Sequence, residues 1–239
     1  MSEAEQELFV LERALYVFKV IGDEPEQLNK EDLHAIIAEI NSMSERNDSL
    51  SQKPFEEGLR VIYGRATQYV PMIAQMYTER EMPPPLGIYQ AMVESEYRDC
   101  PISDLGVGMF QFSRKTAAKY GLQARDYCNV RKQAVAAASY MSDLKSDFSG
   151  PSSSGLGLFG YFGGEDLVRD CLRDLHAKGE TGRSFWAIFN HQDLLREPLT
   201  NDEKRYVPRF FAAAIIGETP ESFGLSTPAL TSVTNIGEK

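Results

Sequence analysis

Histidine, cysteine and tryptophan are scarce in this chain: three, three and one among 239 residues. His34, His176 and His191 stand far apart and at no ligand spacing from Cys100, Cys128 or Cys171, so no metal site is expected. An odd cysteine count is a poor fit to a closed disulfide framework. Buried free thiols are therefore expected; a Cys100–Cys128 bridge stays open for an oxidising compartment, because sequence alone does not place the sulfurs. Positive charge is also short, with 25 Lys and Arg against 35 Asp and Glu, a net charge of −10. That argues against nucleic acid as a partner, since phosphate binding needs a concentrated basic surface, and against docking on anionic lipid. No apolar run approaches the length of a membrane span. The opening MSEAEQELF has no basic region followed by an apolar stretch, so no signal peptide is expected. Period-two alternation and internal repeats are missing too, and the expected fold class is all-α.

What is present is a series of amphipathic helices. Residues 3–21 form the first, with Leu8, Leu11, Leu15 and Phe18 on one face. Asn29 is a good N-cap for the second, with Asp32 three residues on and Leu33, Ile36, Ile37 and Ile40 as the apolar face. The loop between them lacks the spaced ligands and central glycine of a calcium loop. Residues 42–54 are polar, end in proline and read as a linker. A third helix is expected from Phe55 to about Met82, stopped by Pro83-Pro84-Pro85. Shorter helices are expected over 113–122 and 129–147. The run SGPSSSGLGLFGYFGGED has the composition of a surface loop, yet Leu156, Leu158, Phe159, Tyr161 and Phe162 call for burial or a ligand. Helices over Glu165–Ala177 and Asn201–Ile216 follow, and the tail reads as linker or disorder.

The chain centres on residues 86–112, LGIYQAMVESEYRDCPISDLGVGMFQF. Leu86, Tyr89, Met92 and Val93 recur at helical spacing and would share a buried face. Glu94 directly follows it. A carboxylate against an apolar wall loses hydration, which favours its neutral form and suits a general acid working near neutral pH. On position alone Glu94 reads first as a boundary carboxylate paired with an arginine such as Arg98, because most glutamates are surface residues.

The same stretch resembles the catalytic core of lysozyme-like lytic transglycosylases, which cut peptidoglycan. Glu94-Ser95, Ser103 and Gly108-Met109-Phe110-Gln111 match its blocks in order, with the glutamate-to-glutamine gap one residue short. Gly160-Tyr161-Phe162-Gly163-Gly164 stands where the family carries an Ala-Tyr-Asn-Ala-Gly-like segment. Lys204-Arg205-Tyr206-Val207-Pro208 matches a late block of the membrane-bound type-D branch. The resemblance covers about Tyr69 to Gly217, roughly three-fifths of the chain. It implies a lysozyme-like helical domain over residues 55–220, with 1–50 as a helical extension and 221–239 as tail or linker. It further implies Glu94 as sole acid and base, Ser103, Met109, Gln111, Tyr161, Phe162 and Tyr206 as substrate contacts, and no cofactor. Peptidoglycan glycan strands would be the partner, with further protein partners through the N-terminal helices, and the location would be the periplasm or cell envelope. The lack of an expected signal peptide then suggests an excised domain or a specialised export route. One position departs: the family asparagine is Phe162, which cannot donate a hydrogen bond. That leaves two readings open, an enzyme with a modified acetamido pocket and a glycan-binding relative with little turnover.

Overall fold

Ser2 starts the first helix with a reciprocal capping box. Its hydroxyl accepts from the Glu5 N–H at 3.3 Å, and its own N–H donates to the Glu5 carboxylate at 2.7 Å. Helix α1 (Glu3–Ile21) then runs to Gly22, which takes the left-handed C-cap. A computed structural model describes residues 2–46, 48, 55–104 and 106–235 of the chain. The others are α2 (Lys30–Ser44), α3 (Leu59–Thr78), α4 (Pro84–Ser95), α5 (Arg114–Lys119), α6 (Val130–Asp147), α7 (Ser153–Gly163), α8 (Glu165–Ala177), α9 (Phe185–Asn190) and α10 (Asn201–Glu218). Among the described residues the only strand-like pairings are two isolated bridges, Ile102 with Val107 and Val107 with Phe112. The protein is all-α.

Two compact units divide the chain: residues 1–39 with 141–212, and residues 40–140 with 213–239. In the first, α1 buries Val10, Ala14, Val17, Phe18 and Ile21. Leu8 and Leu15, expected on the inner face, are 58% and 39% exposed. Two stripes at helical spacing overlap on this helix and share Phe18; the one containing the small Ala14 faces the core. Phe18 meets the edge of Phe211 at 4.9 Å, and Trp186 meets Phe211 at 5.6 Å. Asn29 and Asp32 cap α2 reciprocally, each backbone N–H donating to the other's side chain at 2.9 Å.

The serine- and glycine-rich run with the composition of a surface loop is the buried helix α7. The Asp23 carboxylate accepts the N–H groups of Ser154 and Gly155, each at 2.8 Å, and so caps α7 from another part of the chain. The Ser154 hydroxyl donates to the Ile21 carbonyl at 2.7 Å and bonds Lys145. Glycine in this helix permits close packing: a Cβ on Gly160 would come within 3.1 Å of Phe148 and 3.2 Å of Leu144.

In the second unit α3 packs against α4, and four buried tyrosines each donate to an acceptor. Tyr63 bonds the Ala213 carbonyl, Tyr77 the Gln90 side chain and Tyr97 the Ile88 carbonyl, all at 2.7 Å; Tyr89 bonds Glu218. Two 3-10 turns, Pro220–Phe223 and Leu230–Asn235, follow α10, and Leu230 and Val233 are buried. The expected linker is helical through Ser44, and its residues 47 and 49–54 lie outside the described residues.

Candidate active site

Helix α4 carries the candidate acid. Pro84 and Pro85 fill its first turn, where a missing N–H costs no hydrogen bond. Every residue from Pro85 to Val93 is buried. Glu94 lies half-buried on the last turn, between buried Val93 and Ser95. Its charge reaches the Tyr77 phenol, whose pKa is pushed well up by burial first and by Glu94 second. Arg98 comes within 3.2 Å of the Glu57 carboxylate, and Arg65 within 2.6 Å of it.

The stretch that follows, a turn from Cys100 that leads into a glycine-punctuated hook ending at Phe112, is cross-braced. Cys100 and Cys128 are joined by a disulfide across a separation of 28 residues, which replaces the expectation of free thiols; Cys171 is the buried free one. Burial and neighbouring acids push the Cys171 thiol up to about 12. Ser103 closes a small turn, its N–H donating to the Gly106 carbonyl at 2.9 Å and its hydroxyl accepting the Gly106 N–H at 3.1 Å. Gln111 takes a left-handed φ of 45°, and its amide donates to the carbonyls of Gly108 at 2.7 Å and Pro101 at 3.2 Å. Met109 is fully buried. These three expected substrate contacts therefore share one loop, and the Ser103 and Gln111 side chains also hold it closed.

A residue outside the expected set organises the hook. Gln133 of α6 is fully buried; its Oε1 accepts the Phe110 N–H at 3.1 Å and its amide donates to the Tyr127 carbonyl. Gly108 has φ +70°, and a Cβ there would sit 1.5 Å from the Gln133 amide nitrogen. The signal in the sequence was a lone glutamine beside the buried Ala134 and Ala137 face.

The other three expected residues lie in the first unit. Tyr161 is half-buried on α7. Phe162, one residue on, is 43% exposed, and its ring stacks on buried Tyr206 of α10 at 4.8 Å and 25°. Glu39 of α2 holds that part of α10 on both sides: it accepts from Arg205 at 2.5 and 3.3 Å and from Arg209 at 3.2 Å.

The class these observations define is an all-α protein with a carboxylate at the end of a buried helix and a glycine-bearing hook after it. No protein-family model matches the sequence. Over 170 residues it is 29% identical to membrane-bound lytic murein transglycosylase D of Escherichia coli K12, and equally to that protein of E. coli O6:H1 strain CFT073. The match covers 69% of this chain and 34% of each relative, so the chain spans about a third of their length.

Proposed function

We propose that this chain is a lysozyme-like lytic transglycosylase domain that cleaves the β-1,4 bond between N-acetylmuramic acid and N-acetylglucosamine in peptidoglycan. The observation that carries the reading is Glu94: a half-buried carboxylate at the end of an otherwise buried helix, in a stretch whose blocks match the family in order. Similarity to the murein transglycosylase D proteins supports it. Neutral Glu94 protonates the glycosidic oxygen, and the substrate's acetamido group stabilises the developing cation. Glu94, now a carboxylate, takes the proton of the C6 hydroxyl as that oxygen attacks C1. The product is a 1,6-anhydro sugar and no water is consumed. One carboxylate suffices because the substrate supplies the nucleophile, unlike the usual two-carboxylate scheme. Ser103, Met109, Gln111, Tyr161, Phe162 and Tyr206 contact the glycan, with residues 55–220 as the catalytic domain, 1–50 as its extension and 221–239 as its tail. The Cys100–Cys128 disulfide suits an oxidising compartment such as the periplasm. Exposed Leu8, Leu15 and Tyr16 on α1 suit a protein partner.

Phe162 favours a second reading, a glycan-binding relative with little turnover. Losing one preorganised polar contact costs on the order of a hundredfold in rate. Digestion of purified sacculi with mass analysis of the products decides. Anhydro-muropeptides are expected. Reducing-end muropeptides would identify a hydrolase, and binding without any release would leave the second reading.

A further inference from the structure

Two residues after Glu94 the backbone does something unusual. Glu96 and Tyr97 are consecutive non-glycine residues at φ 54° and 57°, a region L-residues rarely enter. Glycine would take either position without strain. The chain instead puts two large, fully buried side chains there, 1% and 0% exposed. Such strain persists only where surrounding contacts over-determine it.

The contacts are present in this unit. The Glu96 carboxylate bonds the Arg46 guanidinium on one oxygen and accepts the Phe55 N–H at 3.1 Å on the other. Its carbonyl accepts from Arg65 at 3.0 Å, and its N–H donates to the Met92 carbonyl at 2.8 Å. Tyr97 anchors its hydroxyl on the Ile88 carbonyl of α4 at 2.7 Å and its N–H on the Ala91 carbonyl at 3.3 Å. The Arg46 and Glu96 side chains are 15% and 2% exposed, so the pair is largely shielded from water.

We propose that Glu96, held by Arg46, is a positioning residue that sets where the last turn of α4 presents the Glu94 carboxyl. The proposal rests on Glu94 being the acid. Without the Arg46 guanidinium, the buried Glu96 carboxylate loses its hydrogen-bonded counter-charge, which the charge of Arg98 does not replace with a bond. The left-handed turn then loses its anchor, and the helix turn bearing Glu94 loses its C-terminal stop. A general acid must lie within hydrogen-bond reach of the oxygen it protonates, and a displacement of about 1 Å costs on the order of a hundredfold.

The test is steady-state release of anhydro-ended products from soluble uncross-linked glycan strands by wild type, Arg46→Ala, Arg46→Lys and Glu96→Gly, with melting temperatures for each. Glu96→Gly keeps the turn conformation and removes the buried charge, so it carries the test even where Arg46→Ala does not fold. The expected result is a kcat lower by about tenfold to a hundredfold in Arg46→Ala and Glu96→Gly, with KM within about twofold. Arg46→Lys keeps the charge and restores most of kcat. An unchanged kcat in either folded variant, or a loss confined to KM, overturns the positioning role. Wild-type protein that yields no anhydro product removes the acid role of Glu94, and the positioning role with it.

Discussion

At the residue scale, Glu94 supplies the proton in the proposed mechanism, and Phe162 stands where the family resemblance expects an amide. Glu94→Gln keeps size and removes the transferable proton. Turnover should fall by at least about a thousandfold, while glycan binding survives, because Ser103, Gln111 and Tyr206 are untouched. Wild-type-like release by that variant would take Glu94 out of the mechanism. Phe162 was open to a role in the core, but 43% exposure shows that an asparagine there would meet water. Phe162→Asn should therefore cost only the ring stack on Tyr206, about 1 kcal/mol, and raise the rate of anhydro-product release. A fall in both rate and melting temperature would contradict this. The place of Glu94 at the end of a buried helix was legible because a carboxylate ending an apolar periodic run is visible in one dimension. Gln133 was not, because its role is to bond backbone groups 23 and 6 residues away.

At the scale of the element, helix boundaries with local caps were legible and helices capped from a distance were not. Ser2 with Glu5 and Asn29 with Asp32 are short-range reciprocal caps, so α1 and α2 start where the pattern places them. Helix α7 depends on Asp23, more than a hundred residues earlier, and its composition alone suggested a loop. That cap has a pH signature. Burial raises the Asp23 pKa despite two N–H donors, and burial likewise raises Glu26, Asp32 and Glu96. A carboxyl whose folded pKa is raised binds its proton more readily folded than unfolded. Its contribution is fully present below the unfolded value and is lost as pH rises through the folded one. Asp126 and Asp174 have lowered pKa values, held down by Lys132 and by the Arg196 N–H, and lose stabilisation only as pH falls below the ordinary carboxylate range. The melting temperature should therefore rise as the pH falls from neutral towards the ordinary carboxylate range, and fall again below that range. Asp23→Asn should flatten the rise, and a flat wild-type profile would count against the buried carboxyls.

For the whole molecule, the all-α class was readable from helical periodicity and the missing alternation, whereas the grouping of residues 1–39 with 141–212 was not. Periodicity reports which face of a helix is apolar; it says nothing about which distant helix covers it, and α1 shows that it can even name the wrong stripe. The cysteines show the same gap, since their odd number argued against a bridge that spatial proximity permits. Cys100 and Cys128 bring their Cα atoms to 4.8 Å, and closing a loop of 28 residues removes unfolded-state entropy worth about 3.5 kcal/mol. In a chain of this size that corresponds to about 10 °C in melting temperature. Reduction by dithiothreitol, or the paired Cys100→Ser and Cys128→Ser change, should lower the transition by that amount in a thermal scan. Since the bridge ties the start of the hook to the residues just before α6, the rate of anhydro-product release should also fall while the protein is still folded. Equal melting temperatures with and without reductant would mean that the bridge adds nothing to the fold, and an unchanged rate would mean that Gln133 alone suffices to hold the hook.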